Sequence, residues 1–205
     1  ASGALDASSS NTVTVTITSN NPNILLSTSP TALGSPSIIV TVPAGNGVNG
    51  IGFPSYYVQA LAGSGSAQLT ASATGYASTS FTVTMAPSGF VLVGPNGVGG
   101  NFAVLMNQGT VNLTVQAYLL DPNTLAPSTI EAVRGGFSPS VTVTSDNPAA
   151  VFAPTNTQST SVAISGGTAA GTVTLNPQAK GTAIIMAVEP TGFTASGNQL
   201  AVTIN

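Results

Sequence analysis

Cysteine, histidine and tryptophan are missing from these 205 residues, and charge is almost missing. Without cysteine there is no disulfide, no thiolate nucleophile and no thiolate metal ligand, and the redox compartment leaves no trace. Without histidine, His-based triads and the common zinc sites are excluded. Charged residues make up 3% of the chain: Asp6, Asp121, Glu131, Arg134, Asp146, Lys180 and Glu189 are all of them. A soluble domain ordinarily carries roughly a quarter, so this surface is built from Thr, Ser, Asn, Gln and backbone. Two basic residues cannot neutralise a run of phosphates, which argues against nucleic acid as a partner. No apolar run reaches the roughly 18 residues of a membrane-spanning helix, and no basic n-region precedes an apolar core as in a signal peptide. The chain opens at Ala1 without Met, as a processed product or a trimmed fragment would.

Hydrophobic residues stand at 42%. Disordered chains combine low hydrophobicity with high charge, so this one is expected to fold. Because few groups titrate, acid changes the net charge of −3 very little, and tolerance of low pH is expected. Weak net repulsion also removes a barrier to self-association between polar, strand-rich surfaces.

Alternation of period two runs through the sequence. From Thr12 to Thr18, Val13, Val15 and Ile17 point one way and the threonines the other, as in a half-buried strand. Further strands are predicted at 24–26, 37–42, 56–61, 67–73 and 80–85. Residues 1–11 read as a flexible lead-in, and Asn46-Gly47 and Asn49-Gly50 as turns. Past Ala86-Pro87-Ser88 come strands at 90–93 and 102–106, then the two-faced strand 111–119 and a long loop over 121–136. Strands near Val151 and at 161–164, 172–175, 182–188 and 199–204 complete the series. Ala183 to Val188 is apolar on both faces, which predicts a strand buried on both sides. No segment sustains a 3.6-residue period, so almost no helix is expected.

One motif occurs twice. TITSNNP at 16–22 returns as TVTSDNP at 142–148, and Thr74-Gly75-Tyr76 returns as Thr191-Gly192-Phe193; each second motif leads into an alternating strand. The repeat divides the chain into domains 1–87 and 88–205. Many short strands between turn signals point to β-sandwiches. TVTSDNPAAVFAP, GTVTLNPQAKGTAIIMAVEPTGF and LAVTI resemble the bacterial immunoglobulin-like (Ig-like) domains of secreted and surface proteins, and NQGTVNLTVQAYLLDP resembles their early strands. The likeness covers most of 88–205 and about 12–85. It implies a structural role as stalk, spacer or adhesive module, and it carries no catalytic set.

The copies are unequal. Fifty-four residues separate Pro87 from Thr142, whereas only 15 precede Thr16. The first copy is therefore short of about two early strands, and a sandwich missing them exposes an apolar groove between unpaired N–H and C=O groups. An upstream part of a longer chain, a strand from the second module, or a strand of another subunit could fill it. The third is expected, with the segment from Phe90 to Met106 as spare strands. Pilus subunits completed by donated strands offer a looser resemblance.

Candidate chemistry is thin. Lys180 sits in Gln178-Ala179-Lys180-Gly181, a solvated turn, which disfavours a Ser-Lys dyad or a covalent amide with Asn or Asp. Asp121, Glu131, Asp146 and Glu189 lie on separate loops and share no glycosidase signature. Asp146 before Asn147-Pro148 and Glu189 before Pro190 read as turn formers. Asp121-Pro122-Asn123-Thr124 is the best cluster for a cation, without EF-hand spacing. Gly97, Gly99 and Gly100 are not followed by the Lys-Ser/Thr of a phosphate loop. Asn112-Leu113-Thr114 is the one N-x-[ST] sequon, with Asn112 on the polar face of its strand. Tyr56, Tyr57, Tyr76 and Tyr118 could form a sugar platform, but Tyr76 answers Phe193 and is expected to pack.

These readings converge on an all-β fold of two tandem Ig-like sandwich modules, the first lacking its early strands. The expected role is a non-enzymatic, extracellular structural protein with no catalytic residue, cofactor or metal. Its expected partner is itself, in a head-to-tail homopolymer forming a surface filament or layer, with glycans or a neighbouring cell surface as further partners. The alternative is a pair of spacer modules from a large secreted adhesin or enzyme.

Overall fold

The structure is a computed structural model that describes residues 12–43 and 53–205. The lead-in read at 1–11 and the Asn-Gly turns at 46–50 lie outside the described residues. Every regular element described is a strand, seventeen in all, so the fold is all-β. The chain divides into two compact units: residues 1–85 with 134–136, and residues 86–133 with 137–205.

The first unit contains β1 (Val13–Ser19), β2 (Ile24–Ser27), β3 (Ser37–Val42), β4 (Tyr57–Ala60), β5 (Ser66–Ser72) and β6 (Thr79–Thr84). One sheet runs β3-β1-β5-β6 and is antiparallel throughout; β2 and β4 form a two-stranded partner sheet. Alternation sends Val15, Ile17, Val40, Val42, Ala67 and Leu69 inward, where they meet Ile24 and Leu26 from the second sheet. Each Val, Ile or Leu among them, fully buried, contributes about 1.5–3 kcal/mol.

The second unit begins with β7 (Ser88–Gly94), β8 (Gly97–Val98), β9 (Phe102–Val104), β10 (Val111–Leu120) and β11 (Pro127–Ile130). It continues with β12 (Ser140–Ser145), β13 (Ala150–Phe152), β14 (Ser159–Ala163), β15 (Ala170–Pro177), β16 (Gly181–Val188) and β17 (Gln199–Ile204). One sheet runs β13-β15-β10-β7-β8, with β11 also paired to β10; the other runs β14-β12-β16-β17-β9. Only the β17–β9 pairing is parallel among the described strands. Phe90, Leu92, Phe102, Val104, Leu113, Phe152, Ile185 and Leu200 belong to a single core between the two sheets.

The repeated motif acts as a brace. In the first unit Ser19 Oγ donates to the Asn21 carbonyl (3.0 Å), Asn21 Nδ2 to the Ser66 carbonyl (2.9 Å), and Asn20 Oδ1 accepts the Gln68 N–H (2.8 Å). In the second, Ser145 Oγ donates to Asn147 O (2.9 Å), Asn147 Nδ2 to Thr182 O (3.0 Å), and Asp146 Oδ1 accepts the Ile184 N–H (2.7 Å). Each turn thus clamps the start of the neighbouring strand, β5 or β16. Asn and Asp interchange at 20 and 146 because the brace uses only their acceptor oxygen.

Three expectations need correction. The segment from Phe90 to Met106 is not spare: Phe90, Leu92, Phe102 and Val104 are core residues of the second unit. Strand β16 is central in its sheet but buried on one face only, since Met186 is 42% and Val188 51% exposed. The loop over 121–136 contains β11, paired to β10 over Tyr118–Leu120; its Pro127-Ser-Thr-Ile, three of its four residues exposed, shows no alternation.

Candidate strand-acceptor surface

Aligned on the repeated turn, β1 to β6 correspond in order and pairing to β12 to β17. Sheet order β3-β1-β5-β6 reproduces β14-β12-β16-β17, and β2-β4 reproduces β13-β15. Strands β7, β8, β9, β10 and β11 have no counterpart among the described residues of the first unit. In the second unit β10 pairs along β15, β9 pairs along β17, and β7 packs across the sandwich from β16 and β17.

The consequence shows at matched inward positions. Leu26 pairs with Val58 as Phe152 pairs with Leu175, so Val58 occupies the place of Leu175. Leu175 is fully buried, while Val58 is 40% exposed. Leu69 pairs with Phe81 as Ile185 pairs with Leu200, so Phe81 stands where Leu200 does. Directly paired residues share a face, and Phe81 therefore points to the core side with Leu69; it is nonetheless 44% exposed, against 0% for Leu200. These apolar side chains are aimed at the interior yet exposed, and among the described residues of the first unit no strand stands where β7, β9 and β10 cover their counterparts.

The same gap explains Tyr76. Its counterpart Phe193 packs on Phe90 (ring centroids 4.7 Å apart) and stacks with Phe137 (6.3 Å). Neither partner has a counterpart among the described residues of the first unit, and Tyr76, expected to pack, is 40% exposed.

Backbone groups at the edge of β4 likewise have no partner strand among the described residues. The Leu61 N–H donates to the Asn23 carbonyl (2.8 Å), which sets the phase of the β2–β4 ladder. Tyr57 and Gln59 face β2, and the N–H groups of Val58 and Ala60 face the other edge. Among the described residues β4 pairs only with β2, and β6 only with β5. Gln59 is itself buried, bonding Gly34 N–H through Oε1 (2.9 Å) and the Ala32 carbonyl through Nε2 (2.8 Å), so the outward side of β4 is tied down while its edge has no partner strand among the described residues.

In the second unit the counterpart of this edge, on β15, is paired with β10, and β7 beyond β10 is capped by side chains. Glu189 accepts the Phe90 N–H with both carboxylate oxygens (2.9 and 3.1 Å), and Asn198 Oδ1 accepts the Leu92 N–H (2.8 Å). Between them the Thr194 N–H donates to the Ser88 carbonyl (2.8 Å). The loop lies so close that a Cβ at Gly89 would come within 2.2 Å of the Thr194 carbonyl oxygen. Burial pushes the Glu189 carboxyl up to about 7, opposed by the Phe90 N–H. Glu189, read as a turn former, is thus a cap on β7, and side-chain capping of an edge blocks further pairing there. Its setting between an apolar strand and Pro190 is the only sequence signal for that role.

The remaining candidates stay apart. Asp121 Oδ1 accepts the N–H groups of Asn123 and Thr124 and the Thr124 hydroxyl, and these bonds hold its carboxyl below the usual range. That carboxylate oxygen is committed to closing the β10–β11 turn. Among the described residues no three His, Cys, Asp or Glu side chains come together as metal ligands, and no helix is long and apolar enough to cross a membrane. Lys180 is exposed in the turn between β15 and β16. Asn112 is exposed on β10, its Oδ1 accepting the Thr174 hydroxyl (3.0 Å). Tyr57 is exposed on the outward side of β4, whereas Tyr56 packs partly into the first core beside Phe53.

No family model matches the chain, and no curated protein matches it. Similar solved structures include domains 4 and 5 of the S-layer protein SbsC, at 15% identity, covering 100% of this chain and 74% of that one, with a TM-score of 0.35. The D0-D1 domain of intimin is similar at 13% identity, 98% and 83% coverage and a TM-score of 0.30. The Yersinia pseudotuberculosis adhesin InvE is similar at 17% identity, 94% and 49% coverage and a TM-score of 0.35.

Proposed function

We propose that this chain is a non-enzymatic, extracellular structural protein whose subunits assemble head to tail into a surface filament or layer, the first sandwich of each taking a β-strand from another copy. The observation that carries this reading is the exposure of Val58 and Phe81 at positions where Leu175 and Leu200 are fully buried. A donated strand pairing the edge of β4 would cover Val58 as β10 covers Leu175, and each large apolar side chain it buries would contribute about 1.5–3 kcal/mol. A surface with so little charge offers weak repulsion against such contacts. Domains 1–87 and 88–205 would act as acceptor and closed module. Asn112 is the position where a glycan would attach in a source that glycosylates secreted proteins.

Light scattering and electron microscopy of the purified full chain test the proposal. Linear assemblies that a Val58→Asp variant no longer forms, with its β-sheet circular dichroism retained, are the expected result. A chain that stays monomeric at high concentration with Val58 and Phe81 still solvent-accessible refutes self-assembly. It favours the alternative, in which these are spacer modules of a larger secreted adhesin or enzyme.

A further inference from the structure

The second unit holds a template for the strands without a counterpart among the described residues of the first. In it, β10 lies antiparallel to β15 with Val111 opposite Leu175, Asn112 opposite Thr174 and Leu113 opposite Val173. Val111 is partly buried, Leu113 and Val115 are wholly buried, and Asn112 is exposed. By the register that places Val58 on Leu175, Tyr57 falls on Thr174 and Tyr56 on Val173. The floor is already apolar, since Ile24 and Leu26 of β2 are fully buried and Tyr56 packs against that core. No charged residue lies on β2 or β4.

From this we infer the kind of strand that the first sandwich accepts. It is of the β10 type: uncharged, running antiparallel to β4, with one apolar side chain opposite Val58, the next opposite Tyr56, and a polar one between them opposite Tyr57. This rests on the strand-complementation reading and adds polarity, register and side-chain pattern to it. The competing seat is the edge of β6, where the template is the parallel strand β9 on β17. That seat is shorter, since β9 pairs over three positions while β10 pairs with β15 over six. A strand at β6 would also leave the apolar floor beside β4 uncovered.

The absence of cysteine makes the register directly readable. Tyr57 and Thr82 are both exposed, so full-length chains carrying Tyr57→Cys or Thr82→Cys keep their cores intact. Each is mixed, freshly diluted and in a thiol–disulfide buffer, with an excess of a synthetic decapeptide of residues 111–120 in which Asn112→Cys or Leu113→Cys places the thiol. Disulfides require Cα atoms roughly 4.4–6.8 Å apart, and a one-residue slip turns a thiol to the opposite face, so register sets the yield. The expected result is that the Tyr57→Cys chain captures the Asn112→Cys peptide about tenfold better than the Leu113→Cys peptide, and that the Thr82→Cys chain captures neither. Capture by Thr82→Cys in preference to Tyr57→Cys overturns the inference and leaves strand complementation standing. Equal capture of both peptides, or no capture by a chain that still forms linear assemblies, overturns it in the same way. No capture by a chain that also remains monomeric removes both.

Discussion

Glu189 makes the stability of the second sandwich depend on pH in an unusual direction. Burial raises its carboxyl from the ordinary 4.5 to about 7, so between those values the folded chain holds a proton that the unfolded chain releases. Stability is therefore greatest below about pH 4.5, falls as pH rises through the window, and is lowest above about 7. At 1.36 kcal/mol per pH unit the ceiling is about 3.4 kcal/mol. The carboxyl is only half-buried, and solvent screening brings the expected change to about 1–2 kcal/mol. Urea unfolding followed by circular dichroism between about pH 4 and pH 8 reads it, and a Glu189→Gln variant, whose Oε1 can still accept the Phe90 N–H, should be flat over the same range. Stability that rises between about pH 4.5 and 7, or a slope that survives in the Gln variant, would refute the reasoning.

Matched substitutions at Leu200 and Phe81 should behave differently. Leu200→Ala removes a fully buried side chain and should cost about 2–5 kcal/mol of thermal or urea stability. Phe81→Ala, starting from a side chain already 44% exposed, should cost less than half the 3–5 kcal/mol of a buried phenylalanine in the unassembled chain. Asn147→Ala removes the bonds to Thr182 and Ala149 and should cost about 1–3 kcal/mol, whereas Asn20→Asp, which keeps the acceptor for Gln68, should be near neutral in the same urea series. The Asp121 carboxyl should titrate below its ordinary value by NMR, and Thr124→Val, which removes one of its three donors, should raise it.

Much of this architecture is written in local patterns. Period-two runs locate strands because side chains alternate across a sheet, and β17 is the clearest case, with Leu200, Val202 and Ile204 buried and the residues between them facing out. The turn at Ser-Asn/Asp-Asn-Pro is visible as a turn, but its bonds to Ser66 and Thr182 lie 45 and 35 residues away, which no local pattern encodes. Short strands such as β8 and β11 escape because they pair through backbone alone. An apolar run such as Ala183 to Val188 can be mistaken for a doubly buried strand, because exposure of Met186 and Val188 depends on what covers the outer face. Repeat arithmetic exposed the deficit of strands, yet not its location. Only the paired registers show that Val58 and Phe81 are the side chains left uncovered, and that Tyr76 loses the ring partners that Phe193 keeps.

Amide hydrogen exchange, residue by residue, in dilute and assembled protein tests the acceptor surface most directly. The N–H groups of Val58 and Ala60 point to the open edge of β4, so they should exchange rapidly in the dilute chain and slow by about a hundredfold or more on assembly, while those of Val173 and Leu175 in the second sandwich stay protected in both. Assembly that leaves Val58 and Ala60 exchanging as fast as before, or a dilute monomer in which they are already as protected as Leu175, would contradict the account.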